Sequence, residues 1–354
     1  MRPNCPIKIR LNTLPLFLLA LCGGYSTLEA VDGQLQFSTY YDSNVREALT
    51  DPDPTLGLTL RGRLNHEIHP RRLNIFGEVL TQANLDAISR EESKLIVNAE
   101  LDFRYTLSQA LNVLGNLSHF QKSFYNHTGS YLWTECSTFL HFSPKSRYSG
   151  WLGYRYRKKT LETTDRYRFG EDNLEFRGRY SINPRIFLEG TLTGSNVVHK
   201  DFNAVGVVDD TSLVFLEYPQ KDKGIEGLIH VRYQGKIIAG VQIGIGIVGS
   251  NSVIGEFSFA SYNAYISGNI GSKTFYHLVF RRIDKHYQYP ELEGESWYRD
   301  PEEPVQNRTH FRLEQMLRGG SIGYLQISLL GNETIFNQRY YDKTMVEVGI
   351  KYDL

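Results

Sequence analysis

The chain ends on the stretch 344-TMVEVGIKYDL-354, in which apolar and polar side chains alternate. In an extended strand, successive side chains point to opposite faces. The even-numbered side chains from Val346 to Leu354 are apolar, whereas Glu347, Lys351 and Asp353 among the odd-numbered ones are charged. Because a frayed terminus needs no such order, the pattern predicts a strand held between an apolar and an aqueous phase.

The same two-residue period returns throughout the chain after residue 34, and few segments have a helical period. Clear examples are residues 56–64, 95–107, 148–156 and 174–182. Many of these runs are longer than the strands of a soluble sandwich, and they match a tilted crossing of a bilayer. Since only a closed barrel satisfies the backbone hydrogen bonds of a sheet in lipid, the sequence predicts an all-β fold, a transmembrane antiparallel β-barrel.

Counting strands gives seventeen candidates, whereas single-chain bacterial barrels have an even number. The counts from the two termini disagree between residues 198 and 224. Treating residues 211–219 as part of an extended external excursion leaves about 16 strands, within a range of about 14 to 18. In this topology the short links 108–110, 143–146, 183–185, 269–272 and 319–320 lie on the periplasmic side, and the long segment 284–308 lies outside.

The N-terminus has the pattern of a secretory signal peptide. A positively charged start ending at Arg10 precedes an apolar segment at residues 11–22, and Ala30 offers a small residue at a cleavage point. We therefore predict a signal peptide at residues 1–30 and one outer-membrane β-barrel domain at residues 31–354. A lipoprotein signal with Cys22 at the cut is the alternative.

The composition excludes several classes of function. The 354 residues include 39 basic and 39 acidic side chains, so nothing indicates nucleic acid as a partner. The 23 tyrosines and 31 glycines favour strands and turns. Cys136 would be the only thiol of the mature chain, and we interpret it as a small hydrophobic residue on a strand face beside Leu140 and Phe142.

Both ends of the predicted barrel resemble known outer-membrane proteins. The last strand, with Tyr352 and Leu354, is similar to the C-terminal signature of bacterial outer-membrane proteins, although that family favours phenylalanine at the last position. Residues 42–45, Asp-Ser-Asn-Val, resemble a turn found in porin-like barrels and in the surface lipoprotein assembly modifiers. The resemblance implies a porin-like barrel in the lipid of the bacterial outer membrane, with the barrel-assembly machinery reading the C-terminal strand.

If the leucine, valine and tyrosine faces contact lipid, charged side chains of the same strands line the interior. The predicted pore-lining residues are Arg61, Arg63, Arg104, Arg155, Arg157, Arg177, Arg179, Glu100 and Glu175. Arginine stays charged and binds carboxylate or phosphate through a fork of donors, so the arginines predict an anion-attracting strip. In the alternative interpretation they pair with Glu175 and Glu189 and only link strands inside a blocked barrel.

The segment 284–308 has seven acidic and three basic residues. Long links without regular structure are often functional or disordered. One interpretation is a solvated acidic loop at the cell surface. The other is a constriction loop that folds into the mouth of the barrel and brings Glu291, Glu293 and Glu295 toward the arginine wall.

The sequence contains no motif for a chemical step. The histidines occur singly, with His66 and His69 at a predicted periplasmic turn, and no nucleophile elbow, zinc-binding helix or phosphate-binding loop is present. We therefore predict no enzymatic activity, no cofactor and no metal. The predicted function is a passive channel or porin-like protein that admits small polar solutes through a charged, hydrated lumen. The alternative is a non-conducting structural or secretion-accessory barrel that binds a protein or a surface polysaccharide, and the oligomeric state stays open.

Overall fold

The computed structural model describes residues 32–44, 54–69, 72–88, 92–125, 130–145, 147–162, 167–208, 212–253, 255–288, 307–333 and 340–354. These residues form sixteen β-strands, each paired antiparallel with its two neighbours, and the order of strands follows the chain. Because β1 pairs with β16, the sheet closes into a barrel. Within the described residues, no helix is long and apolar enough to cross a membrane. The predicted all-β barrel of sixteen strands is confirmed.

The strands are β1 (Asp32–Asp42), β2 (Thr55–Ile68), β3 (Leu73–Asp86), β4 (Lys94–Ser108), β5 (Leu111–Phe124), β6 (Ser130–Lys145), β7 (Tyr148–Glu162), β8 (Tyr167–Asn183), β9 (Ile186–Val208), β10 (Ser212–Gln234), β11 (Ile237–Ser250), β12 (Phe257–Ile270), β13 (Thr274–Tyr287), β14 (Asn307–Met316), β15 (Ile322–Glu333) and β16 (Tyr340–Asp353). A short 3-10 turn, Arg318–Gly320, connects β14 to β15.

The disputed segment 211–219 belongs to a hairpin that extends beyond the rest of the barrel. β9 and β10 have 23 residues each, whereas β11 has 14. Their outer parts pair from Ser212 and Val208 to Pro219 and Asn203, with register shifts on both sides of Pro219. Proline donates no backbone hydrogen bond, so the ladder is interrupted there. The segment is an external excursion, as expected, and it is built from paired strands.

The two ends of the barrel differ in the length of their links. At the end where β1 begins and β16 ends, β8 connects to β9 through two residues, 184–185, and β10 connects to β11 through 235–236. At the other end, residues 288–306 connect β13 to β14. Bacterial barrels have short periplasmic turns and longer extracellular loops, so the start of β1 and the end of β16 lie on the periplasmic side. The described residues of the five links predicted to be periplasmic lie together at this end.

The outer surface of the barrel is apolar. On β2, Leu56 and Leu58 are more than half exposed, while Thr59 between Leu58 and Leu60 is buried on the inner face. The same alternation exposes Ile243, Ile245 and Ile247 on β11. A continuous band of exposed leucine, isoleucine and aromatic side chains is a lipid-facing surface when it surrounds a closed barrel. Cys136 lies on the outer face, in step with Leu140 and Phe142, as predicted.

The C-terminal strand closes the barrel. Residues from Gln34 to Asp42 of β1 pair with residues from Asp353 to Met345 of β16. On the inner face, Glu347 accepts hydrogen bonds from the Ser38 hydroxyl (2.6 Å) and the Tyr324 hydroxyl (2.7 Å). The Glu347 carboxylate of β16 therefore links β1 and β15 at the point where the barrel closes. This contact explains why the inner face of the terminal strand carries a charge at Glu347.

Candidate functional site in the barrel interior

The interior wall forms a pocket of about 670 Å³ between β4 and β8. Its lining residues are Asn98, Glu100, Asp102, Asn116, Ser118, Phe120, Trp133, Glu135, Ser137, Arg155, Arg157 and Arg177. They come from alternate positions of five successive strands, because an antiparallel ladder places directly opposite residues on the same face. The pocket brings together four predicted pore-lining residues, namely Glu100, Arg155, Arg157 and Arg177.

The arginines of β7 form ion pairs with glutamates of the neighbouring strands. Arg157 binds Glu135 of β6 at 2.8 Å and approaches Glu171 of β8 at 3.6 Å. Arg155 binds Glu175 of β8 at 3.2 Å and approaches Glu135 at 3.5 Å. Each of these arginines thus lies between two carboxylates.

The arginines of β8 continue the same arrangement toward the periplasm. Arg177 binds Glu175 at 2.7 Å and approaches Glu189 of β9 at 3.9 Å, and Arg179 binds Glu189 at 2.9 Å. We call the set of Arg155, Arg157, Arg177, Arg179 and the glutamates 135, 171, 175 and 189 the ion-pair ladder. Four positive charges meet four negative charges in it, so the ladder matches the strand-linking interpretation and carries no formal excess of positive charge.

Water reaches the ladder inside the barrel. The side chains of Arg155, Arg157, Arg177 and Arg179 keep 29–38% of their surface exposed, whereas the Glu175 side chain keeps 8%. A dry interior would cost several kcal/mol for each ion taken out of water. The arginines therefore present hydrated guanidinium groups to the lumen while their carboxylate partners lie against the wall.

Two carboxylates on β4 lack a basic partner. The Asn116 amide donates hydrogen bonds to Glu100 (2.8 Å) and to Asp102 (2.9 Å). In the part of the chain that the structure describes, no basic side chain forms an ion pair with either carboxylate. Because both line the pocket together with Arg155 and Arg177, the pocket has a negative side on β4 and a paired, mixed side on β7 and β8.

Aromatic rings lie between these two sides. Phe120 and Trp133 stack with ring centroids 5.8 Å apart, and the Arg157 guanidinium lies 5.4 Å from the Trp133 ring. Lower in the wall, His141 stacks on Trp151 at 4.6 Å, with Arg179 5.2 Å from the Trp151 ring. Stacking on the rings orients the guanidinium groups without removing them from water.

The remaining predicted pore-lining residues lie outside the pocket and the ion-pair ladder, two of them on β2 and one on β4. Arg61 donates to Gln82 at 2.9 Å, Arg63 forms an ion pair with Glu78, and Arg104 donates to Asn112 at 3.3 Å. The predicted constriction-loop residues lie outside the described residues; they are Glu291, Glu293 and Glu295.

Sequence reasoning missed Glu135 and Glu171, which complete the ladder. Both alternate in step with inward residues, Glu135 with Ser137 on β6 and Glu171 with Asn173 on β8. The alternation of side chains in the sequence is therefore enough to predict that Glu135 and Glu171 face the interior. Their contact with Arg157 depends on the register between strands, which a single sequence does not show.

One buried histidine resembles part of a catalytic group. His199 Nε2 lies 2.6 Å from Asp222, and the Ser250 hydroxyl lies 2.5 Å from the same carboxylate. A serine nucleophile needs a hydrogen bond to the imidazole that removes its proton. Since Ser250 donates to Asp222, this group has the contacts of a structural network at the extracellular end of the barrel.

A closed sixteen-stranded antiparallel sheet with an apolar outer band and a charged interior defines a porin-like β-barrel of the bacterial outer membrane. No family model and no curated protein matches the chain. Among solved structures, the chain is similar to a triple mutant of the Rhodopseudomonas blastica porin, with 11% identity over 92% of this chain and 99% of that chain and a TM-score of 0.40. It is also similar to OmpT, an outer membrane protein of Vibrio cholerae, with 10% identity over 93% of this chain and 100% of that chain and a TM-score of 0.46. These similarities concern the barrel fold.

Proposed function

We propose that this protein is a passive channel for small polar solutes. The observation that supports the proposal best is the exposure of the ladder arginines, 29–38% of each side chain, at the middle of the wall. A sixteen-stranded barrel is wide enough to hold water, and charged side chains that remain hydrated in it line an aqueous path.

The mechanism requires no chemical step. A solute that passes the pocket exchanges part of its hydration shell for hydrogen bonds with the wall, and the fixed charges decide which solutes do so at low cost. Because the ladder is balanced in formal charge, Glu100 and Asp102, offset in part by Arg104 on the same face of β4, supply the negative charge of this wall. They attract cations over a distance of about 8–10 Å at ordinary salt concentrations.

The test is conductance of the refolded barrel in planar lipid bilayers. We expect stepwise increases in current, with a reversal potential that moves toward anion preference in the double variant Glu100→Gln and Asp102→Asn. The matched control neutralises Asp32 and Glu67, which lie exposed near the periplasmic end, and should leave the preference nearly unchanged. Folded barrels that insert and carry no current would refute the proposal.

The predicted constriction loop remains a prediction from the sequence. Its acidic residues, Glu291, Glu293 and Glu295, would add negative charge to the same path if the segment folds into the mouth. The pore-lining and loop assignments therefore form part of the proposal, and the conductance of the wall variants does not depend on the loop.

The long β9–β10 hairpin supports a second candidate function. Its outer part exposes Val214, Phe215 and Tyr218 by 42%, 58% and 49%. Exposed apolar side chains beyond the membrane are typical of surfaces that bind a partner. A non-conducting barrel that binds a protein or a surface polysaccharide would use this hairpin. In that case the barrel would carry no current, and shortening the hairpin would abolish binding without changing the folded yield.

A further inference from the structure

The wall formed by β13 and β14 carries two arginines that face each other directly. Arg281 of β13 is the register partner of Arg308 of β14. The neighbouring Phe280 and Phe311 are exposed on the outer face, so the alternation places both arginines on the inner face. Partners in an antiparallel ladder have Cα atoms about 4.5–5.5 Å apart, and like charges at that position destabilise the pair.

The neighbouring strands do not compensate these charges. Arg281 pairs on its other side with Asn263 of β12, and Arg308 pairs with Leu330 of β15. In the described ranges, no carboxylate forms an ion pair with either arginine. Glu314, lower on β14, is held by Arg312 at 2.8 Å and by Lys351 at 3.7 Å.

Two histidines lie on the periplasmic side of the arginine pair and on the same inner face, His310 two residues from Arg308 and His277 four residues from Arg281. His310 follows Arg308 on the inner face of β14, and the two imidazole centroids of His277 and His310 are 6.1 Å apart. Ser328 contacts Nδ1 of His310 at 3.0 Å, and Ser267 contacts Nδ1 of His277 at 2.6 Å. A serine that donates to Nδ1 leaves the hydrogen of a neutral imidazole on Nε2, which then acts as a donor.

The contrast with the ion-pair ladder indicates what this site lacks. On β7 and β8 every arginine of the ladder meets at least one glutamate within 3.2 Å. Around Arg281 and Arg308 there are two guanidinium groups, two imidazoles and one uncharged amide, that of Asn263. Among the described residues, no carboxylate is paired with the two guanidinium groups. An external anion would remove the repulsion and use the donors.

We propose that Arg281 and Arg308 form a binding site for a small oxyanion, a phosphate or a carboxylate, with His310 and His277 completing its lower side. Guanidinium groups bind both kinds of oxyanion through paired hydrogen bonds, which are among the strong ones in proteins because donor and acceptor are charged. The site lies on a different wall from the pocket between β4 and β8, and it does not require the barrel to conduct.

The test measures thermal unfolding of the refolded barrel in detergent while inorganic phosphate replaces chloride at constant ionic strength. A ligand that binds only the folded state raises the unfolding midpoint with its concentration. We expect this rise in the wild-type barrel, and we expect phosphate binding at least tenfold weaker in the double variant R281Q/R308Q. The matched control R147Q/R185Q removes the same charge at exposed periplasmic turns and should respond like the wild type.

Two further measurements keep the test decisive. Without phosphate, R281Q/R308Q should unfold at the same temperature as the wild type or higher, because the repulsion is gone. The variant R281K/R308K keeps both positive charges but loses the paired donors of the guanidinium groups. It should bind phosphate more weakly than the wild type and more tightly than R281Q/R308Q. A parallel titration with succinate shows whether carboxylates bind as phosphate does.

The proposal is overturned if phosphate and succinate leave the wild-type midpoint unchanged, or if R281Q/R308Q and R147Q/R185Q respond alike. Since no current is measured, failure here is distinguishable from failure of the channel in bilayers.

Discussion

Replacing Glu175 by glutamine tests how the ion-pair ladder is held together. The carboxylate is buried and accepts hydrogen bonds from Arg155 at 3.2 Å and from Arg177 at 2.7 Å. Glutamine keeps the shape and one acceptor but removes the charge. The remaining carboxylate contact of Arg155 is then with Glu135 at 3.5 Å, and that of Arg177 is with Glu189 at 3.9 Å.

The expected cost follows from the exposure of the partners. Removing one member of a fully buried ion pair costs about 3–5 kcal/mol, whereas an exposed pair contributes about 0.2–1 kcal/mol. Glu175 is buried, but the side chains of Arg155 and Arg177 are 30% and 35% exposed and each keeps a second carboxylate nearby. We therefore expect the free energy of unfolding to fall by about 1–2 kcal/mol, between these limits.

The assay combines stability and selectivity. Urea unfolding of the barrel refolded into lipid vesicles measures the free energy of unfolding, and the reversal potential across a salt gradient measures ion preference. Glu175→Gln should lower the free energy of unfolding and should shift the reversal potential toward anion preference. The matched control Glu171→Gln removes a carboxylate that contacts Arg157 at only 3.6 Å and should cost less than half as much stability. Unchanged stability and selectivity in a conducting Glu175→Gln channel, or a larger effect of Glu171→Gln, would refute the reasoning.

Two further predictions concern the barrel itself. Replacing Tyr352 and Leu354 together by aspartate should sharply reduce the heat-modifiable folded form in outer membranes, because a charge on the lipid face costs up to a few kcal/mol, depending on depth; normal yield would contradict closure by the last strand. An epitope inserted after Gly294 should be detected on intact cells, whereas one between Gly319 and Gly320 should be reached only after permeabilisation. The reverse labelling pattern would invert the assigned topology.

The fold was predictable because it depends on a local signal. Alternation with a period of two appears in each strand separately, and its consequence, one lipid face and one aqueous face, needs no knowledge of the partner strand. The one ambiguous region was 198–224, where β9 and β10 continue beyond the barrel and Pro219 interrupts their ladder. Because of this proline and the irregular register, the sequence pattern of the single long strand β10 looks like two short strands.

The charges of the site were less predictable because pairing depends on register. The sequence predicts that Arg155 and Arg157 face the interior, and both line the pocket between β4 and β8. Whether they carry excess charge depends on which glutamates lie opposite, and a slip by one residue would have moved Glu135 to the lipid face. Counting arginines therefore overestimates the positive charge of this wall.

The register between strands also brings Arg281 and Arg308 together. In the sequence, Asp284 comes two residues after Arg282 and three residues after Arg281. In the structure, Arg282 forms an ion pair with Asp284 at 2.7 Å on the outer face, whereas Arg281 lies on the inner face. Arg308 was assigned to the long acidic segment, yet it is the second residue of β14.

The arrangement of uncompensated charge follows from these pairings. The chain has equal numbers of acidic and basic side chains, and the ladder balances four of each. Among the described residues, Glu100 and Asp102 on β4 and Arg281 and Arg308 on β13 and β14 form no ion pair, and Arg61 and Arg104 bind only the amides of Gln82 and Asn112. In a closed sheet of sixteen strands, β4 and β13 lie on nearly opposite sides of the lumen. If the barrel conducts as proposed, we expect the unpaired groups of these two walls to differ in net charge, so that a solute with separated positive and negative groups would be oriented as it passes.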